Sequence, residues 1–322
     1  MSQTTPSPAT IALLPVDRET TGPFAGIVTM KLDQSPSPMV VLDHELIRRI
    51  EATLIEIRRQ GPTGFILAST STRVFIAGAD LKTIQSPLTP GSQGWTDEQL
   101  DKYLAYGQRV FGMICEWSCP TVAAINGAAL GGGLEIAMHC DALIAAPSAS
   151  GKPYPIGLPE AGLCICPGWG GTNLLPARMD PAEAIRRTAE GRPMNFDEAK
   201  AAGLFDVVAE SQETLLTTAK QWIVDERVRR SSTPPHPHRP DAQPRKWIGR
   251  LECKAKVASA IDEAMTDATF PKSEAAAACL LAVRTGLRDG WMDALTVERR
   301  ELARLRNTEA GRSAIAGFFA KK

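Results

Sequence analysis

Two short apolar runs, GFILAS at 64–69 and TVAAI at 121–125, each lead within a few residues into a stretch of very small side chains. The first stretch is Phe75-Ile76-Ala77-Gly78-Ala79-Asp80-Leu81-Lys82, and the second is Asn126-Gly127-Ala128-Ala129-Leu130-Gly131-Gly132-Gly133-Leu134-Glu135. A continuous apolar run bounded by turn formers predicts a strand buried on both faces. Small residues between such a strand and a following helix let the backbone come close to a ligand and present unpaired N–H groups to it. Three successive glycines before a helix are costly unless something needs that approach, although a tight structural turn accounts for the run taken by itself.

The surrounding chain fits this reading. Phe24 to Leu32 reads as a strand, and from Asp43, a plausible N-cap, Leu46, Ile47, Ile50, Leu54 and Ile57 fall on one helical face. Strand, helix and strand in that order suggest a crossover unit of a mixed α/β fold. A helix over 97–117 follows the loop QSPLTPGSQG at 85–94, then come a helix opening at 134–139, a strand at 141–146, helix, helix and strand over 181–209, and a helix over 211–229. Residues 1–20 are rich in Pro, Ser and Thr and predict a flexible terminus; 231–247, with several prolines and the pair His236 and His238, predicts an exposed linker or long loop; 248–322 predicts three or four helices. The expected division is a flexible N-terminus at 1–20, a core at 21–230, the Pro/His-rich segment at 231–247 and a helical region at 248–322.

Composition narrows the functional classes. Lys plus Arg and Asp plus Glu both number 36, so no global field draws in nucleic acid or an anionic membrane. No run is long and apolar enough to span a bilayer, the first residues lack the pattern of a secretory signal, and seven scattered cysteines predict reduced thiols; the expectation is a cytoplasmic enzyme. Four histidines leave little for a metal site, and Cys164 and Cys166, without a second pair, read as buried thiols. His139 and Cys140 read as core packing, with no third group to orient a catalytic pair. Neither G-x-x-x-x-G-K-[ST] nor G-x-G-x-x-G is present, which disfavours the corresponding nucleotide folds.

Two carboxylates shift the balance from turn to site. Glu135 lies in the first turn after the glycines, in the apolar stretch LEIAM, and Glu160 lies in Gly157-Leu158-Pro159-Glu160, before Pro167-Gly168-Trp169-Gly170-Gly171-Thr172. Each alone reads as a dipole-compensating or solvated residue. Beside two loops whose N–H groups could converge on one carbonyl oxygen, they make two acid/base groups next to an oxyanion hole.

FIAGADLK, NGAALGGGLE, and LPE followed by PGWGGT resemble, in order and spacing, the signature regions of the crotonase (enoyl-CoA hydratase/isomerase) superfamily over about residues 24–230, and the ending ERRELARLRNTEAGRSAIAGFFAKK is similar to the end of the hydratase portion of multifunctional fatty-acid oxidation enzymes. The resemblance implies an α/β fold with a crotonase-type ββα spiral core and a C-terminal helical region that serves oligomerisation, as a homotrimer or homohexamer. It implies a lyase that hydrates a 2-enoyl-CoA thioester, with no metal or redox cofactor beyond the coenzyme A of the substrate. The amides of Ala79 and Gly132 would bind the thioester oxygen, Glu135 would activate water, and Glu160 would deliver a proton to the α-carbon. Ala77, Asp80, Leu81, Lys82, Gly131, Pro159, Gly168 and Trp169 would line the path of substrate and coenzyme A.

The sequence departs from the family pattern in the longer link SGKPYPIG before Leu158, which could shift Glu160 or form a flap, in Cys164 where glycine is usual, in Trp169 where a small residue is common, and in Asn173-Leu174 in place of Gln-Arg. Trp169 predicts a restricted or unusual acyl group. An isomerase, which commonly needs one of the two carboxylates, a thioester hydrolase and a decarboxylase are the enzymatic alternatives. A non-catalytic CoA-thioester binder would keep the loops and lose the acid/base pair, which is present here.

Overall fold

The computed structural model describes residues 11–232 and 243–320, and in it the two apolar runs are the paired centre of a parallel sheet. In chain order the elements are β1 (Val16–Arg18), β2 (Ile27–Leu32), α1 (His44–Arg59), β3 (Gly64–Ser69), β4 (Val74–Ile76), α2 (Leu81–Ile84), α3 (Asp97–Cys115), β5 (Thr121–Ile125), β6 (Ala128–Leu130), α4 (Gly132–Met138), β7 (Ala142–Ala145) and β8 (Pro155–Gly157). They continue with α5 (Gly171–Leu174), α6 (Pro181–Glu190), β9 (Met194–Asn195), α7 (Phe196–Ala201), β10 (Val207–Val208), α8 (Leu215–Ser231), α9 (Leu251–Thr266), α10 (Glu274–Arg288), α11 (Trp291–Arg306) and α12 (Glu309–Ala320).

One sheet has the order β1-β2-β3-β5-β7-β10, parallel except for β1. Its central strands β3, β5 and β7 are apolar at successive positions because both faces are covered. Phe65, Leu67, Ala123, Ile125 and Leu143 join the main core, while Ile66, Val122, Ala124 and Ile144 pack beneath Leu215, Ala219 and Ile223 of α8. Helix α1 begins as its sequence predicts, with the Asp43 carboxylate accepting from Leu46 N at 2.7 Å.

The second sheet, β4-β6-β8-β9, holds the two small-residue stretches side by side, with β4, β6 and β8 parallel. These strands are three residues each, too short to show a periodicity, which is why the sequence shows only glycine-rich connections there. The long link before Leu158 is anchored where it enters the second sheet. Pro155–Gly157 pairs with β6, Gly131 N donates to Gly157 O at 2.9 Å, and Tyr154 Oη donates to Ala146 O at 3.0 Å, leaving Ser150 to Pro153 exposed.

The described chain differs from expectation at both predicted flexible segments. Val16–Arg18 is a strand antiparallel to β2, with Leu14 buried, so part of the 1–20 segment is anchored in the sheet; residues 1–10 lie outside the described residues. His236 and His238 also lie outside them, but 243–247 are not an exposed linker. Arg245 Nε meets Asp141 Oδ1 at 2.7 Å, Lys246 pairs with Asp206, Trp247 is buried, and the following Ile248 N donates to Asn173 O at 3.1 Å. Four helices, α9 to α12, complete the chain on the main core, where Leu295 is buried, while Leu281 stays exposed.

Cys164, just after the 3₁₀ turn Glu160–Leu163, has φ +56 and is the one residue other than glycine with a left-handed φ among those described. A side chain there costs about 1–2 kcal/mol relative to glycine, partly offset by the greater freedom glycine has when unfolded. Cys164→Gly is expected to raise the urea midpoint by the equivalent of about 1 kcal/mol; a lower midpoint would mean that contacts of the thiol outweigh the backbone gain.

Candidate active site

Because β4, β6 and β8 run parallel, the loops that leave their C-terminal ends open on one edge. There they line a single cavity of about 1140 Å³. Every residue that the sequence nominates borders it: Ala77, Ala79, Asp80, Leu81 and Lys82 after β4, Gly131, Gly132 and Glu135 after β6, and Pro159, Glu160, Gly168 and Trp169 after β8.

The backbone pairing around the first two loops leaves particular amides out. Leu42 N donates to Gly78 O, Asp80 N to Leu42 O, and Gly131 N to Gly157 O, whereas the amides of Ala79 and Gly132 take no part in this network. Gly132 is the first residue of α4, where an N–H has no intrahelical partner. The two orphan donors therefore sit on adjacent loops at the edge of one cavity, as an oxyanion hole requires. Asp80 borders the cavity and also caps α2, its carboxylate accepting from Lys82 N at 3.1 Å and Thr83 Oγ1 at 2.9 Å. Lys82 is exposed at the cavity wall, which Arg49 also borders.

The two carboxyls are held differently. Glu135, 1% exposed, accepts at Oε1 from Trp169 N and Gly171 N, both at 2.8 Å. Burial pushes its pKa up, with Glu160 and Glu298 adding repulsion, while the two amides favour its anion. Glu160 is partly buried and packs against Gly131, whose φ of +52 and missing Cβ admit it; a Cβ there would lie 2.4 Å from Glu160 Oε1. Its Oε2 is buried without a hydrogen-bond partner among the described residues, and burial raises its pKa to about 8. Hydrogen bonding sets the two apart: two amides favour a charge on Glu135, and no donor among the described residues reaches Oε2 of Glu160.

Trp169 forms the wall beside Gly132. Its indole is buried, donates Nε1–H to Leu104 O at 3.1 Å and lies edge-on to Tyr103 and Phe111. It fills space that Gly107 and Gly132 leave open, since a Cβ on either would come within 2.4 Å of the ring. His139 is core, as expected, with Nδ1 donating to Glu135 O at 2.9 Å and burial lowering its pKa to about 4. No group of three or more His, Cys, Asp and Glu side chains among the described residues could hold a metal ion.

The sequence reading missed Glu298. This α11 carboxylate is fully buried behind Glu135 and accepts from Gly170 N, Thr172 N and Thr172 Oγ1. A signal was there: Trp291, Leu295, Leu302 and Leu305 trace the apolar face of α11, and Glu298 falls on the same face. Leu302, Phe318 and Phe319, also from the C-terminal helices, border the cavity and were likewise not anticipated.

Known proteins share both the sequence pattern and the fold. The model of the family described as Enoyl-CoA hydratase/isomerase matches residues 23–231. The glyoxysomal fatty acid beta-oxidation multifunctional protein MFP-a of Cucumis sativus is 35% identical over 205 residues, 63% of this chain and 26% of that protein. The crotonyl-CoA hydratase of Syntrophomonas wolfei is 37% identical over 150 residues, 47% of this chain and 53% of that one. This chain therefore spans 26% of the length of the first and 53% of the second. Among solved structures, human mitochondrial delta3-delta2-enoyl-CoA isomerase aligns with a TM-score of 0.62 at 21% identity, covering 96% of this chain and 98% of that one. The enoyl-CoA hydratase of Bacillus halodurans aligns with a TM-score of 0.62 at 20% identity, covering 95% and 100%. At these identities the structural likeness concerns the fold.

A raised carboxyl pKa ties stability to pH. Glu160 binds its proton more tightly when folded, at about 8, than at its ordinary value of 4.5, so the stability it contributes is full below 4.5 and is lost as pH rises through 8. The Glu160→Gln variant, which cannot ionise, is expected to gain stability relative to the wild type across that window. Parallel pH dependences of the two in urea denaturation would show that Glu160 is already ionised in the folded state.

Proposed function

The chain belongs to the enoyl-CoA hydratase/isomerase family, and from that premise we propose that it is a lyase adding water across the 2,3-double bond of an enoyl-CoA thioester. The observation that carries this reading is the pair Glu135 and Glu160 on one cavity with two unpaired amides. An isomerase commonly needs one carboxyl; both are present here, in unequal hydrogen-bond surroundings.

The thioester carbonyl accepts from the amides of Ala79 and Gly132, which draws electron density from the β-carbon and receives the enolate charge as it forms. Water lies between the carboxyls. Glu135, charged and steadied by two amides, takes its proton while the oxygen bonds to the β-carbon, and Glu160 gives its proton to the α-carbon. The pair begins and ends with one proton between them, so each turnover closes by returning a proton from Glu135 to Glu160. Lys82 and the 77–82 loop take the coenzyme A end.

The acyl end meets Trp169, with Leu104, Leu302, Phe318 and Phe319 near it. An indole locked beside the oxyanion amide supports a short acyl chain of crotonyl size. Exposed Leu251, Met265, Leu281 and Met292 on the C-terminal helices support self-association as a trimer or hexamer, read out as molecular mass in solution. No helix among the described residues is long and apolar enough to cross a membrane, and all seven cysteines are free, which supports a reducing compartment such as the cytoplasm.

Hydration is followed as loss of the enoyl thioester absorbance with identification of the 3-hydroxyacyl product. Glu135→Gln and Glu160→Gln are each expected to lower kcat at least about a hundredfold, and near-normal hydration by either variant would remove that residue from the mechanism. Over a series of acyl lengths the wild type is expected to favour the shortest chains and Trp169→Leu to extend the profile to longer ones. A wild-type profile already broad to long chains would sink the size restriction.

A further inference from the structure

The turn that holds Glu135 is itself held from the other side. Along Trp169 to Thr172 the backbone amides alternate between two carboxylates. Trp169 N donates to Glu135 and Gly170 N to Glu298 Oε2 at 2.6 Å; Gly171 N then donates to Glu135 and Thr172 N to Glu298 Oε1 at 3.0 Å. Thr172 Oγ1 adds a third donor to Glu298 Oε1 at 2.5 Å. The left-handed φ of +99 at Gly170 turns successive amides to opposite sides and makes the alternation feasible. Glu298 does not border the cavity, so it cannot touch substrate.

We propose that Glu298 is a positioning residue for the acid–base chemistry of this site: it clamps the 169–172 turn so that two amides stay aimed at Glu135, and its buried charge sets how the catalytic pair shares a proton. The inference rests on the reading of Glu135 and Glu160 as that pair. Its first part comes from the bonds above. Without Glu298 the amides of Gly170 and Thr172 lose their buried acceptor, the turn can rotate, and Oε1 of Glu135 loses the donors that favour its anion. The second part comes from proximity and burial. Glu135, Glu160, Cys166 and Cys279 all feel the Glu298 charge. The neighbouring cation on its own helix, Arg299, is turned away to Asp101 and Gln108 of α3.

The test compares the full-length wild type with Glu298→Gln, which keeps the volume and removes the charge. Hydration of a crotonyl thioester is expected to lose about tenfold to a hundredfold in kcat, the scale of a misplaced catalytic group, with KM changed by less than about threefold. Both limbs of the kcat–pH profile are expected to move to lower pH, because loss of the neighbouring negative charge makes Glu135 and Glu160 easier to ionise. Unchanged kcat and unchanged limbs would overturn the proposal, and so would a lower melting temperature with the limbs unmoved, the signature of a purely structural residue. Infrared titration of the buried carboxyl band reads the same pair without turnover, and its midpoint is expected to fall in Glu298→Gln. If the wild type hydrates nothing, the hydratase reading fails while the infrared midpoint still decides the role of Glu298. Should Glu298→Gln not fold, Thr172→Val removes one donor to Glu298, and a loss of about two- to tenfold in kcat is expected; an unchanged kcat there would count against the clamp.

Discussion

Three very short parallel strands decide where the chemistry can be. Strands β4, β6 and β8 are only three residues each, yet their register fixes which loop faces which. Ile76 opposite Ala129, and Leu130 opposite Gly157, bring the ends of three separate segments to one edge. A parallel pairing delivers the C-terminal ends of its strands together, which an antiparallel one does not. The amides of Ala79 and Gly132 and the carboxyls of Glu135 and Glu160 meet because of that direction. The larger sheet, with its apolar strands buried on both faces, provides the rigid support against which the small one is set.

The second constraint is charge kept away from water. Glu135, Glu160 and Glu298 sit close enough to influence one another, and burial raises all three, Glu298 to about 7. Such a group is tolerable only if some members stay neutral or receive donors. The chain supplies the donors almost entirely from backbone, through the amides of 169–172, and leaves one Glu160 oxygen without any. Uneven solvation of like groups separates the proton affinities of otherwise identical side chains.

Much of this was legible in the sequence, and the reasons for success and failure differ by residue. GFILAS and TVAAI announce buried strands because continuous apolarity has few other uses at that length. Glu135 and Glu160 stand out because carboxylates beside glycine-rich turns are chemically suggestive, and the structure sets both on the cavity. Strands of three residues carry no readable period, so β4, β6 and β8 were hidden inside their loops. The capping role of Asp80 was hidden because a capping carboxylate and a ligand-facing one look the same in sequence. Glu298 escaped because its partner, the 169–172 turn, is more than a hundred residues away, and only its place on the apolar face of α11 hinted that it was buried.

The extra residues between Ala146 and Tyr154 have a consequence for how this chain can vary. Tyr154 Oη to Ala146 O ties the base of that excursion, and the strand pairing begins immediately afterwards. Its tip, from Ala149 to Pro153, is exposed and bears on neither carboxyl. The knot at the base uncouples the length of the excursion from the placement of the acid downstream. It creates a tolerant doorway in the primary structure, where a tag, a fluorophore or a foreign epitope can be spliced without passing through the catalytic chamber.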